Sequence, residues 1–218
     1  PGAWGLGHAV RMRALATALA AQGATVEFLT PTPALAPFVA PLPCQTYRHV
    51  WPAFTSDVLV EDVPVPAPEA CYASLRRLMT VVRVDVPQAT PETCDLLVAS
   101  GAHWEPAQLE ALGTAFGSAF LSGWPYVLLE REVTTAPRLP YATRLDGPVV
   151  VCAGGSDPHN ALGQMVESMR PSVTSREWIA LRPAHGRPLL LPSWIREEPF
   201  ARHWLAEAAM LVTTWGVT

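Results

Sequence analysis

Short apolar runs alternate with helix-like stretches along almost the whole chain, and this alternation limits the fold more than any other feature. Pro148–Cys152 (PVVVC) is a near-continuous apolar run, the mark of a strand buried on both faces. Thr25–Leu29, Val58–Val60, Val81–Val84, Leu96–Ala99, Tyr126–Leu129, Trp178–Leu181, Leu189–Leu191 and Met210–Thr213 read as further strands. Ala9–Gln22, Pro68–Met79, Pro106–Leu112, Asn160–Met169 and Glu198–Ala208 read as helices between them. Gly23 is a natural stop for the first helix, because glycine tolerates positive φ. Pro31, Pro33, Pro37, Pro41 and Pro43 rule out a regular central strand and predict a stiff loop or short helix. Strand–helix–strand order implies parallel βαβ units covered on both faces. The expected fold is α/β, with two Rossmann-like parallel-sheet halves. The loop Thr134–Gly147 divides them into residues 1–140 and 141–218. No strand opens the first half, and the second is short for a doubly wound domain, so it is expected to be incomplete.

Composition narrows the function. Half of the 218 residues are hydrophobic and 16% are charged, which suits a globular chain with a sizeable core. A net charge of −4 argues against nucleic acid, which needs a basic face. All 15 basic residues are Arg, so Schiff-base, Walker-type and lysine-base chemistry are excluded. Cys44, Cys71, Cys94 and Cys152 form no CxxC pair and read as free thiols in a reducing cytosol. His185 and His203 have no metal-like spacing, and no metal is expected. The uncharged stretch Ala111–Leu129 contains Gly113, Gly117, Gly123 and Pro125, which read as a helix, a turn and a strand rather than a membrane span.

Two glycine loops carry the candidate chemistry. Gly5-Leu6-Gly7-His8 runs into a helix with Arg11 one turn inside. Glycines allow close backbone approach, and the N–H groups of a helix start attract anions. Arg11 is a candidate for a bidentate phosphate contact. His8, at the positive end of the helix, is a candidate neutral imidazole able to accept a proton. The same pattern also suits a plain strand-to-helix turn capped by histidine. The second loop, Gly154-Gly155-Ser156-Asp157 with Asn160 three residues on, follows the buried strand, at the end of a parallel sheet where ligands bind. Ser156 and Asp157 suit either a bound hydroxyl or a helix cap.

Together, Gly-x-Gly-His-x-x-Arg and Gly-Gly-Ser-Asp-x-x-Asn resemble the two-domain (GT-B) nucleotide-sugar enzymes. Within these, the chain is similar to the bacterial glycosyltransferases related to the nucleotide-sugar hydrolase of the pseudaminic acid pathway. It is more distantly similar to the N-acetylglucosaminyltransferase of peptidoglycan synthesis. Ala16–Gly23 with Val26–Leu29, Asp57–Asp62, Tyr126–Glu132, and Leu205–Thr214 followed by Gly216 resemble further family stretches. The resemblance implies a nucleotide-sugar donor and a hydroxyl acceptor, with no cofactor. It implies His8 as base or orienter at the reacting sugar carbon and Asp62 as an acidic site position. Gly5, Gly7 and Arg11 would line the same loop. Gly154, Gly155, Ser156, Asp157, Asn160 and Gly216 would face the donor diphosphate. The family's first strand, and its donor-contacting segment beyond Thr218, have no counterpart here.

Other readings stand beside this one. Glu61 and Asp62 are adjacent on a strand and should point to opposite faces. His49-Val50-Trp51 and His103-Trp104 suit stacking on a sugar or base, or an ordinary polar-tipped core or rim position, and His159 suits a phosphate or water. Hydrolysis uses the same attack as transfer. A non-catalytic binding module, or a piece that assembles with another subunit such as a second copy, is the reading from a different class. A dehydrogenase-type fingerprint is lacking, because no third glycine follows Gly5 and Gly7.

Overall fold

The computed structural model describes residues 6–30, 32–46, 56–62, 67–101, 104–135, 139–153, 157, 160–169, 176–183 and 190–213. The chain opens with helix α1 (Leu6–Ala21), built from Ala, Leu, Met and Arg, all good helix formers. It stops where Gly23 takes φ +90° and Ala24 N–H donates back to the Leu19 carbonyl. Strand β1 (Phe28–Thr30) follows, three residues later than the alternation suggests. The prolines shape a 3-10 turn (Pro33–Leu35) and a short helix α2 (Ala36–Val39). They do not exclude β2 (Cys44–Thr46), which pairs in parallel with β1 in a separate two-stranded sheet. Cys-Gln-Thr is short, polar and mostly exposed, so no apolar run announces it. Ala9 of α1 packs on Leu35 and Val39 over this sheet.

The first large sheet has the order β3-β4-β5-β6, with every pair parallel. Its strands are β3 (Val58–Glu61), β4 (Thr80–Val84), β5 (Leu96–Ala99) and β6 (Phe120–Ser122). Helices α3 (Glu69–Leu75) and α4 (Pro106–Phe116) connect them. Tyr72, Val81, Leu97 and Phe116 form the core between sheet and helices. The strand expected at Tyr126–Leu129 is instead β6, a few residues earlier. Gly117 at φ +57° ends α4, so Phe120 reaches the ladder beside Leu97, and Gly123 at φ +90° then turns the chain away. Pro125 lacks an N–H for a ladder and lies in a 3-10 turn, Trp124–Tyr126. Short helices α5 (Arg131–Thr135) and α6 (Tyr141–Arg144) lie in the connection to the second half.

The second sheet has the order β10-β7-β8-β9, again all parallel. Its strands are β7 (Val149–Cys152), β8 (Trp178–Arg182), β9 (Arg196–Pro199) and β10 (Met210–Thr213). Val149 and Val151 pack with Leu162 and Val166 of α7 (Ala161–Met169) on one face. Val150 and Cys152 pack with Ala208, Trp204 and Leu205 on the other, around α8 (Arg202–Glu207). All four residues of β7 are buried, as its sequence requires. The strand expected at Leu189–Leu191 is corrected: Leu190 is fully exposed, and the edge strand is β9. Its residues are Arg-Glu-Glu-Pro, and ion pairs Arg182–Glu197 and Arg196–Glu198 run along it, so hydrophobic patterning misses it. The two four-stranded parallel sheets make the α/β fold with Rossmann-like halves; the small β1–β2 sheet is additional.

Candidate functional site

Parallel strands all end on one edge, and loops leaving that edge place side chains together. Here three adjacent strands contribute. Asp62 follows β3, Asp85 follows β4, and Ser100 and Gly101 follow β5. Helix α1 lies against this edge through His8 and Arg11, which are three residues apart and so leave the same helix face.

The contacts form a chain. Asp62 Oδ1 lies 2.6 Å from His8 Nδ1. Arg11 donates from Nε to Asp62 Oδ2 (2.8 Å) and from Nη2 to Asp62 Oδ1 (2.7 Å). Its Nη1 donates to Asp85 Oδ2 at 2.5 Å. Asp85 also accepts the backbone N–H groups of Ser100 (2.7 Å) and Gly101 (2.9 Å), the Ser100 hydroxyl (2.9 Å) and the indole N–H of Trp104 (2.9 Å). Burial by itself would raise the Asp85 carboxyl. The Trp104 and Gly101 hydrogen bonds, the Arg11 charge and the Ser100 hydroxyl outweigh it and hold the group below its ordinary 3.8.

This arrangement assigns the His8 tautomer. Asp62 takes N–H donors on both oxygens, so the hydrogen between it and His8 belongs to Nδ1. The basic lone pair of the neutral ring is then on Nε2. Arg11 Nη2, 3.3 Å from Nδ1, is a neighbouring donor and not a partner. The His8 side chain is 33% exposed while that of Asp62 is 1% exposed. A reachable ring is thus held from behind by a buried carboxylate, the relation of a general base to its orienting group.

Glu61 and Asp62, adjacent in sequence, share no partner among the described residues. Glu61 accepts from Arg83 Nε (2.8 Å) and the Tyr72 hydroxyl (2.5 Å). Arg83 also lies 4.3 Å over the Tyr72 ring and donates to Thr93. Burial raises the Glu61 carboxyl above its ordinary 4.5, and Tyr72 and Arg83 offset only part of this.

The remaining candidates separate. Gly7 lies in the first turn of α1, whereas Gly5 lies outside the described residues. Arg11, considered for phosphate, faces inward onto two carboxylates. Gly154, Gly155, Ser156, His159 and Gly216 lie outside the described residues, as do His49, Trp51, His103 and His185. Asp157 caps α7: Oδ1 accepts from Ala161 N–H (2.6 Å) and Oδ2 from Leu162 N–H (3.0 Å). Asn160 sits just before α7 at φ +52°, against Gly163. Trp104, a stacking candidate, is buried with its N–H on Asp85. Among the described residues, no group of three His, Cys, Asp or Glu is placed to hold a metal ion. Among them, too, no helix is long and apolar enough to cross a membrane.

Sequence reading missed Asp85 and Glu130. Glu130 pairs with Arg13 of α1, whose Nη1 also donates to the Phe38 carbonyl (2.6 Å). Asp85 had one available signal, an acid directly after an apolar strand, the position ligands and active groups favour. A hollow of about 410 Å³ lined by Asp146, Gly147, Pro148, Arg176 and Glu177 lies at the amino ends of β7 and β8, the end of a parallel sheet away from that position. No family model, curated protein or solved structure matches the chain.

Proposed function

We propose that the chain is a sugar-nucleotide enzyme, a glycosyltransferase with His8 as general base. The carrying observation is the 2.6 Å contact of His8 Nδ1 with buried Asp62 at the carboxyl edge of a parallel sheet. In this reading, Nε2 takes the proton of an acceptor hydroxyl as its oxygen bonds to the anomeric carbon. The bond from that carbon to the donor diphosphate breaks, and the diphosphate leaves with the electron pair. Asp62 then faces an imidazolium, and its charge stabilises it. The Gly-x-Gly-His and Gly-Gly-Ser-Asp loops support a diphosphate-bearing donor by their chemistry.

The test is nucleotide release from UDP-, CMP-, GDP- and dTDP-sugars, with and without hydroxyl acceptors. Acceptor-dependent release is the expected result, and release into water alone assigns hydrolysis instead. His8→Ala should lower the rate by about 10²–10⁴-fold, the usual contribution of a general base. Absence of release with every donor overturns the catalytic reading.

A further inference from the structure

Asp85 is held on every side. Its φ is +52°, a left-handed backbone that Asp tolerates better than most non-glycine residues and that its surroundings fix here. Those surroundings are specific: its N–H donates to the Val98 carbonyl (2.8 Å), and four donors from residues 100–104 converge on its carboxylate. The carboxylate is therefore satisfied before Arg11 arrives and offers it an immobile acceptor. Arg11 meets three oxygens with one plane: both of Asp62 and one of Asp85. A guanidinium can do this and an ammonium cannot, since it is a point donor without a fork. Asp62 in turn is the partner of His8 Nδ1.

We infer that Asp85 is a positioning residue: through Arg11 it holds Asp62, and through Asp62 it fixes the ring orientation and tautomer of His8. Its catalytic consequence rests on the reading of His8 as a base, but the tautomer can be measured without any substrate. Asp85 touches no reacting atom. It anchors a relay running from the loop after β5 to the first turn of α1, across the ends of three neighbouring strands.

The experiment is nitrogen-15 NMR of the histidine rings in the full chain, at a pH above which the His8 signals no longer move, with His8→Asn assigning them. Wild type should show one neutral tautomer of His8, with the proton on Nδ1. Asp85→Asn, Arg11→Lys and Trp104→Phe should each lose that single form and gain the Nε2–H form. Trp104→Phe, which removes the indole N–H and shrinks the ring but leaves the three donors of Ser100 and Gly101 on Asp85, should change least. Leu162→Ala, a core truncation in the second half, should keep the wild-type pattern although it is less stable. If Asp85→Asn does not fold, the other two variants decide. A folded Asp85→Asn or Arg11→Lys with the wild-type pattern overturns the inference, as does an Nε2–H tautomer in wild type. Tautomer loss in a protein that releases no nucleotide overturns only the catalytic reading. Release that survives with an unchanged tautomer overturns only the role of Asp85.

Discussion

Glu61 and Asp62 are consecutive residues at the end of β3, yet each closes an ion pair with a different arginine. Glu61 meets Arg83, which comes from the neighbouring strand β4. Asp62 meets Arg11, which comes from α1. The end of β3 is thus held by two arginines, one of which keeps Asp62 against His8. Both pairs are almost fully buried, a situation in which removing one partner leaves an uncompensated charge.

Asp62→Asn places an NH2 group against the Arg11 fork. It should lower stability by about 3–5 kcal/mol, the usual loss on breaking a buried pair. Urea unfolding should show a lower midpoint with an unchanged slope. A loss within the range of ordinary surface substitutions, about 0.5 kcal/mol, would show that Arg11 finds another acceptor.

Asp85 and Glu61 should act on stability with opposite signs of pH dependence. The Asp85 carboxyl is lowered on folding, so its contribution is present above 3.8 and is lost as pH falls through the lower folded value. The Glu61 carboxyl is raised, so its contribution is present below 4.5 and is lost as pH rises through the higher folded value. Asp85→Asn should therefore flatten the stability curve on the acid side. Glu61→Gln should flatten it above 4.5. Urea midpoints measured on either side of each value check both statements.

Cys94 should be the slow thiol. Burial pushes it up to about 11, with Arg83 and Arg76 offsetting part of the effect. At pH 8 only about one molecule in a thousand carries the thiolate, which is the reactive form. Cys44 and Cys71 are partly exposed. Alkylation at pH 8 followed by peptide mass mapping should modify these two well before Cys94. Equal labelling of Cys94 would mean that the core around Tyr72 and Leu97 opens readily.

Asp157→Ala should destabilise the protein with no ligand present, by about 0.5–2 kcal/mol, as loss of a helix cap does. Both of its carboxylate oxygens are engaged by the first turn of α7. Thermal unfolding of the free protein measures this directly. An unchanged midpoint would return Asp157 to the donor-binding candidates.

Much of the fold was legible because parallel strands buried on both faces must be apolar along their whole length. Val149–Cys152 and Leu96–Ala99 carry that mark, and both are strands. β2 and β9 escaped, since a short polar strand and a charged edge strand are held by ladder bonds and ion pairs that leave no apolar pattern. Part of the site was legible too: His8 and Arg11 stand in a glycine-marked helix start, and Asp62 ends a strand. Their mutual contact was not, because 51 and 54 positions separate Asp62 from its two partners.

Local order thus settled the buried apolar strands such as Val149–Cys152 and Leu96–Ala99, and where α1 stops. These follow from backbone sterics and side-chain periodicity, which act between near neighbours. Which acid Arg11 would choose, and which nitrogen of His8 would carry the proton, was settled only by packing. Asp85 lies 74 positions from Arg11, and parallel register alone brings the ends of β3, β4 and β5 side by side beneath α1. Hydrogen bonds and ion pairs act over a few ångströms of space, and distance along the chain does not specify that space until the sheet has formed.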